Sequence, residues 1–187
     1  MRSFLINFWV ILLLLLASSN VMATKTVLLT PSPTPVPTPV DSYQLFWPLS
    51  AGKTASDSLY FLKFFKESLR GWFIFGNYNK AEYNITLSEK RLLEAEKLLM
   101  KNDYQNAKKT LDFGKSKVEE ALSFTQKAAD LKSVNMSILK TKFMMSIDKQ
   151  KILLNYLITQ LSDDQKGSLS EYINYLDSVK TKLAQIE

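Results

Sequence analysis

Residues 57–99 join an aromatic segment to a long segment of helical period, and the rest of the chain is arranged around them. Between residues 59 and 75, four polar residues recur at i, i+3, i+4 and i+7, which places them on one narrow stripe of a helix. They are Lys63, Lys66, Glu67 and Arg70. Large apolar residues cover the remaining circumference: Leu59, Tyr60, Phe61, Leu62, Phe64, Phe65, Leu69, Trp72 and Phe73.

Two interpretations of this aromatic helix stay open. A surface helix needs only one apolar stripe, so a helix with this much apolar surface is either covered on two sides or lies in a membrane interface. We expect the first arrangement, a central core helix that starts with a cap from Ser56 or Asp57. Phe65 and Leu69 then face inward, opposite the polar stripe. In the second arrangement, residues 61–75 bind a lipid surface.

A second helix is predicted downstream of Asn79, which forms a capping box with Glu82. Its apolar positions recur with alternating spacings of four and three, which is typical of a stripe that packs against other helices. The stripe contains Ala81, Ile85, Ser88, Leu92, Ala95 and Leu99. We expect the charged residues of this segment to form a solvated face: Glu82, Glu89, Lys90, Arg91, Glu94, Glu96 and Lys97.

Three more helices are predicted beyond residue 100. Asp103 caps a helix that continues to about residue 132, with Gly114 as a point of close packing. A break or a kink near residues 133–135 precedes a helix over 138–161, and the turn at 162–164 leads into a last helix over 169–186. The pattern predicts an all-α fold, a bundle of four to five mainly antiparallel helices over residues 56–187.

Residues 1–23 have the pattern of an export signal. Arg2 precedes a run over residues 4–17 that is apolar apart from Asn7 and is shorter than the ~20 residues that a bilayer span needs. Val21 and Ala23 occupy positions −3 and −1 of a cleavage site. We predict a signal peptide cleaved after Ala23, with an uncleaved signal anchor as the alternative. Both place the domain on the extracytoplasmic side, either secreted or membrane-anchored.

Residues 24–55 are predicted to be a Pro/Thr-rich stalk and connector. Proline occupies every second position from 31 to 39, which enforces extended polyproline II structure. At ~3.1 Å per residue, such a stalk holds the domain roughly 30 Å from whatever precedes it. We expect the aromatic residues that follow it, Tyr43, Phe46 and Trp47, to clip onto the helical domain.

Two motifs resemble a known bacterial family. The first is Ser58-Leu59-Tyr60-x-Leu62-Lys63, and the second is Glu89-Lys90-Arg91-Leu92-x-Glu94-Ala95. Together with Lys80-Ala81-Glu82 they resemble the family called domain of unknown function 5667. The resemblance implies an extracytoplasmic helical domain and supplies no catalytic residues. The chain departs from the family pattern at Phe61 and Phe64, where proline and a basic residue are usual, and its first helix is therefore more apolar.

Composition restricts the chemistry further. Cysteine and histidine are both absent from the 187 residues, which removes thiol nucleophiles, imidazole bases and the common zinc and haem ligand sets. Of the adjacent carboxylates, Glu119 and Glu120 diverge by about 100° on a helix and Asp163 and Asp164 fit a turn. We therefore expect no enzyme, no cofactor and no catalytic, cofactor-binding or metal site.

The formal net charge of +6 is spread over helix faces instead of forming an arginine-rich strip, so nucleic acid is not expected as a partner. Three functions remain. The first is a non-catalytic interaction module of the bacterial cell envelope, with an envelope protein or a cell-wall polymer as partner. The second is a sensory or ligand-binding bundle. The third is a membrane-surface binder that uses the aromatic helix.

Overall fold

The structure, a computed structural model, describes residues 39–131 and 135–186. All regular secondary structure in these ranges is helical, which confirms the all-α prediction. The helices are α1 (Ser42–Leu45), α2 (Tyr60–Trp72), α3 (Asn77–Met100), α4 (Tyr104–Asp130), α5 (Met136–Gln160) and α6 (Gly167–Ala184), with a 3-10 turn at Asp163–Gln165. The predicted signal (1–23) and the proline repeat up to residue 38 lie outside the described residues.

Helices α3 to α6 form a bundle of two antiparallel hairpins. The α3–α4 turn contains Asn102, whose positive φ of 58° is tolerated by an asparagine side chain. Asp103 then caps α4 as predicted, because its carboxylate accepts the backbone N–H of Asn106 at 3.3 Å. Helix α4 ends at Asp130 and α5 begins at Met136, and residues 132–134, in the region of the expected break, lie outside the described residues.

The two hairpins pack face to face, with α3 beside α5 and α4 beside α6. Lys142 contacts Glu82 at 2.5 Å, and Gln150 contacts Ser88 at 3.1 Å. Because both residue numbers rise together, α3 and α5 run in the same direction. Consecutive helices are antiparallel within each hairpin, and parallel neighbours meet across the interface between hairpins.

Helix α3 is the central element of the bundle. Its predicted stripe is buried, with Ala81, Ser88, Leu92 and Ala95 all fully enclosed. The prediction of a solvated charged face on this helix is wrong for Arg91, Glu94 and Glu96, which are 1%, 0% and 6% exposed. The reason is that α3 is covered by α4 and α5, and also by α2 and by the segment before it.

That preceding segment contributes to the core. Phe46 is 2% exposed and belongs to the same hydrophobic cluster as the bundle helices, whereas Trp47 is exposed and stacks edge-on against Tyr43 at 5.0 Å. The chain then runs along α3, where the ammonium group of Lys97 donates to the carbonyl oxygen of Gly52 at 2.8 Å. Of the predicted aromatic clip, only Phe46 enters the core.

A small polar layer crosses the bundle at its middle. The Tyr172 hydroxyl donates to Gln150 Oε1 at 2.9 Å, and the Gln150 amide donates to Ser88 and Ser146. Gly114 lies against this layer, where an added Cβ would come within 3.3 Å of the Tyr172 hydroxyl. The prediction that Gly114 marks a close approach of helices is therefore confirmed.

Both predicted caps of the first two long helices are wrong. The Asp57 carboxylate turns back to accept the backbone N–H of Thr54 at 2.6 Å, and α2 begins without a side-chain cap. Helix α3 begins at Asn77, preceded by Gly76 at φ 81°, and Asn79 instead donates to the Phe75 carbonyl oxygen at 3.0 Å. A glycine suits this position because L side chains rarely adopt such a φ.

Candidate functional site

Helix α2 lies on the bundle with two residues of its polar stripe, Lys63 and Glu67, facing inward. Tyr60, Lys63, Glu67 and Gly71 recur along the face that contacts α3. At Gly71, the missing side chain lets the helix approach the Tyr83 ring, and an added Cβ would lie 3.4 Å from Tyr83 Cε1. The Tyr83 hydroxyl also donates to the backbone carbonyl of Glu67 at 2.7 Å.

The expectation of a central core helix is therefore wrong for α2. Phe65 is 65% exposed and Leu69 is 41% exposed, and α2 contains no buried residue along its length. The physical reason is that Lys63 and Glu67 of the polar stripe have charged partners inside the bundle. Burying charges is tolerated only when they are paired and hydrogen-bonded, and α3 supplies the partners for Lys63 and Glu67.

These partners form an ion cluster with balanced charge. The guanidinium of Arg91 contacts both carboxylate oxygens of Glu94, at 2.6 and 2.5 Å, and reaches across to the Glu67 carboxylate. The Lys63 ammonium contacts the Glu94 carboxylate and donates to the carbonyl oxygens of Ala51 and Lys53 at 2.5 and 2.8 Å. Two cations thus face two carboxylates where α2 meets α3.

Two aromatic rings close the cluster. The Tyr60 hydroxyl donates to Glu94 at 3.1 Å, and the Phe113 ring of α4 lies 5.1 Å from the Arg91 guanidinium carbon. Burial, together with the nearby Glu94 carboxylate, raises the pKa of Tyr60 to about 12, so this hydroxyl remains a donor. Burial lowers the pKa of Arg91, but Glu94 and Glu67 outweigh that effect and the net pKa is raised.

The outer side of α2 and its flanks expose a concentrated set of large apolar side chains. Nine of the 16 exposed large hydrophobic residues in the described ranges fall between residues 59 and 75. Trp72, Phe75, Phe73, Phe65 and Phe61 are the most exposed of them, each at more than 60%. Phe64 is the partial exception, because its ring packs against Phe113 at a centroid distance of 5.4 Å. We call this set the aromatic face: Leu59, Phe61, Leu62, Phe64, Phe65, Leu69, Trp72, Phe73 and Phe75.

Basic residues border the aromatic face. Lys66 and Arg70 are both exposed, and the guanidinium carbon of Arg70 lies 5.8 Å from the centre of the Tyr83 ring. Glu67, the single acidic residue of α2, points to the other side and is paired with Arg91. The solvent side of α2 thus carries positive charge and apolar surface together.

In the described ranges, the carboxylates outside the ion cluster are not grouped for catalysis or metal binding. Glu120 pairs with Lys117 at 2.6 Å, and Asp163 pairs with Lys166 at 2.7 Å. Within these ranges, no group of three or more histidine, cysteine, aspartate or glutamate side chains is arranged to hold a metal ion. A groove of about 340 Å³ between α3 and α5 contains Lys142, whose charge is paired with Glu82.

Fold and surface together define a helical bundle that carries one amphipathic helix with its apolar side outward. Within the described part of the chain, every helix is too short or too polar to cross a lipid bilayer. A family model described as Domain of unknown function (DUF5667) matches residues 52–174, so the chain belongs to that family. No curated protein and no solved structure matches the chain.

The two motifs of the resemblance meet in the structure. Tyr60 and Lys63 come from the first motif, Arg91 and Glu94 come from the second, and all four side chains join the ion cluster. The sequence interpretation missed this pairing because it placed Arg91 and Glu94 in solvent. One feature of the sequence indicated this pairing. Lys63 and Glu67 are a cation followed by an anion at helical spacing, and Arg91 and Glu94 repeat that order.

Proposed function

We propose that this domain is a non-catalytic interaction module of the bacterial cell envelope, and that it interacts through the aromatic face of α2. The observation that carries the proposal is the exposure of nine large apolar side chains within 17 consecutive residues. Soluble proteins rarely expose contiguous apolar surface on this scale unless it binds a partner or a membrane. Scattered exposed residues elsewhere, such as Met145 and Ile152, need no such explanation.

The way α2 is held supports a binding role over a packing role. Its inner side is occupied by charged contacts with α3, so the aromatic face contributes little to the core beyond the contact of Phe64 with Phe113. A helix that served only stability would turn its phenylalanine and leucine side chains inward, because burying one stabilises a fold by about 1.5–3 kcal/mol. The aromatic face is therefore available to bind another surface.

The ion cluster supports a structural role for its carboxylates. Glu94 is fully buried and accepts hydrogen bonds from Arg91, Lys63 and Tyr60, and Glu67 is engaged by Arg91. Carboxylates saturated in this way position α2 and are not free to transfer protons to a substrate. The proposal assigns no reaction to the domain.

The proposed location rests on residues 1–23, whose charged start, apolar run and Val21-x-Ala23 site follow the pattern of an export signal. The absence of cysteine from the whole chain means that oxidation outside the cytoplasm forms no disulfide in it. Stability in that compartment then comes from packing, without covalent cross-links between cysteines.

Site-specific photo-cross-linking in intact bacterial cells tests the proposal. A benzophenone-bearing phenylalanine analogue replaces Phe65 at the centre of the aromatic face, and the matched control places it at Ile152 on α5. Both positions are exposed, at 65% and 49%, so the fold tolerates either label. Protease added to spheroplasts reports on which side of the membrane the domain lies.

We expect cross-linked products from position 65 and few or none from position 152, together with cleavage of the domain by external protease. Equal cross-linking at both positions would indicate non-specific contact and contradict the assigned interface. A domain protected from external protease until the cells are lysed would contradict the location.

A further inference from the structure

We infer that the aromatic face binds the surface of an anionic lipid bilayer. This inference rests on the proposed function and specifies its partner. It assigns α2 the position of an interfacial helix, with its apolar side chains among the acyl chains and its basic side chains at the level of the phosphate groups.

The dimensions of α2 suit a helix that lies along a membrane. Thirteen residues extend about 20 Å, less than the roughly 30 Å hydrocarbon core that a spanning helix must cross. The inner side remains attached to α3 through Arg91 and Glu94, so only the outer side is free to enter the lipid. The bundle would then rest on the membrane with α2 between itself and the bilayer.

The side chains of the outer side are those that interfaces favour. Trp72 is 79% exposed and lies near the end of α2, where its amphipathic ring suits the headgroup region. Phe61, Leu62, Phe65 and Leu69 supply rings and branched chains that bury apolar area in the acyl region. Burying one phenylalanine side chain strengthens an association about 10- to 150-fold, so a few are enough for measurable binding.

Charge complementarity selects anionic lipid. Lys66 and Arg70 are exposed beside the aromatic face, whereas Glu67 is turned inward and neutralised by Arg91. Each basic residue close to an anionic bilayer strengthens binding about fivefold. The same charges disfavour a second copy of the chain as partner, because a two-fold contact through this face would bring the Lys66 and Arg70 side chains of both copies close together.

Tryptophan fluorescence of the full-length chain provides a local test. The substitutions Trp9→Phe and Trp47→Phe leave Trp72 as the single tryptophan, so the signal reports on α2 whatever the N-terminal segment does. The chain is titrated with vesicles of phosphatidylglycerol mixed into phosphatidylcholine, and separately with phosphatidylcholine alone. Lipids with brominated acyl chains measure the depth of the indole by quenching.

We expect a blue shift of Trp72 emission and quenching by brominated chains with the anionic vesicles, both weakened by added salt. Lys66→Gln with Arg70→Gln should raise the lipid concentration at half-saturation about 10- to 30-fold. Removing two charges elsewhere, with Lys108→Gln and Lys180→Gln, should change it less than about twofold, because Lys108 lies in the groove between α4 and α6 and Lys180 pairs with Asp148 of α5. Phe65→Ser should raise it about tenfold or more.

Three results would overturn the inference. They are an unchanged Trp72 emission with anionic vesicles, an equal response to neutral and anionic vesicles, and a blue shift that depends on protein concentration without lipid, which would indicate a second copy. If Phe65 cross-links to an envelope protein while the vesicles fail, the proposed function stands and the lipid assignment falls. If both experiments fail, both proposals fall.

Discussion

At the scale of single residues, the interior of this domain contains paired charged side chains as well as apolar ones. Arg91 and Glu94 are fully buried next to Leu92 and Ala95, and the cluster is tolerated because its charges are balanced and hydrogen-bonded. Small residues could be interpreted correctly from sequence alone. Gly114 lies at a close approach of helices as predicted, because that prediction depends only on the small size of glycine and on helical spacing.

The buried carboxyl of Glu96 makes the free energy of unfolding of the domain depend on pH. Burial raises its pKa, the Ser42 hydroxyl opposes that effect, and Asp41 adds to it. A carboxyl with a raised pKa in the folded state binds its proton more tightly there than in the unfolded chain. The contribution of Glu96 to the free energy of unfolding therefore falls as pH rises above the ordinary carboxyl pKa of 4.5.

Glu96→Gln should accordingly increase the free energy of unfolding at pH 7, and the gain should shrink as the pH approaches 4. Urea unfolding at the two pH values measures both quantities. Glu171→Gln is the control of opposite sign, because Lys115 lowers the pKa of that carboxyl and its loss should slightly destabilise the domain at pH 7. A Glu96→Gln variant less stable than the parent at pH 7 would contradict the assignment.

At the scale of elements, helix existence and boundaries follow from periodicity, but the orientation of α2 does not. The pattern separates polar from apolar positions on α2 but does not determine which side faces the bundle. In the structure Lys63 and Glu67 face it together with Tyr60, whereas Lys66 and Arg70 stay exposed. That choice depends on Arg91, which lies 24 residues after Glu67, and on Glu94, which lies 31 residues after Lys63, because both are buried where α2 docks. An exposed apolar helix is also the less common outcome, and sequence reasoning favoured the common one.

The inverted orientation of α2 predicts opposite consequences for two phenylalanines. Phe65→Ala should change the free energy of unfolding by less than about 0.5 kcal/mol, because the side chain is 65% exposed. Phe143→Ala, at 0% exposure in α5, should cost about 3–5 kcal/mol. Equilibrium unfolding in urea measures both, and a large loss at Phe65 would restore the interpretation of α2 as a core helix.

The polar attachment of α2 also predicts that the helix can be loosened separately from the bundle. Glu67→Gln removes the carboxylate that joins α2 to Arg91, a charged hydrogen bond that contributes about 2 kcal/mol. Hydrogen exchange should become roughly 30-fold faster for amides of Tyr60–Trp72, with α3 to α6 nearly unchanged.

The neighbouring substitution Lys66→Gln is the control for this exchange experiment, because Lys66 is exposed and takes no part in the ion cluster. Its amide exchange should match that of the parent chain. Faster exchange throughout the bundle after Glu67→Gln would mean that α2 and the bundle unfold as one unit, and would contradict a separable helix.

At the scale of the whole molecule, the proposals connect three parts of the chain. Residues 1–23 are proposed to direct export, the proline repeat to act as a spacer, and the bundle to present the aromatic face. Family membership over residues 52–174 supports the bundle as the shared unit. The first two parts lie outside the described residues, and their assignment rests on sequence patterns alone.

Cleavage of the export signal is the prediction that tests this arrangement. The chain recovered from outside the cytoplasm of a bacterial host should begin at Thr24, because Val21 and Ala23 occupy the −3 and −1 positions of a signal peptidase site. N-terminal sequencing and the intact mass measure the start directly. Ala23→Phe should block cleavage by placing a bulky ring at −1, whereas Ser19→Ala should leave the start unchanged. Full-length chain found only in the membrane would establish a signal anchor, and chain confined to the cytoplasm would contradict export and, with it, an envelope bilayer reached from outside.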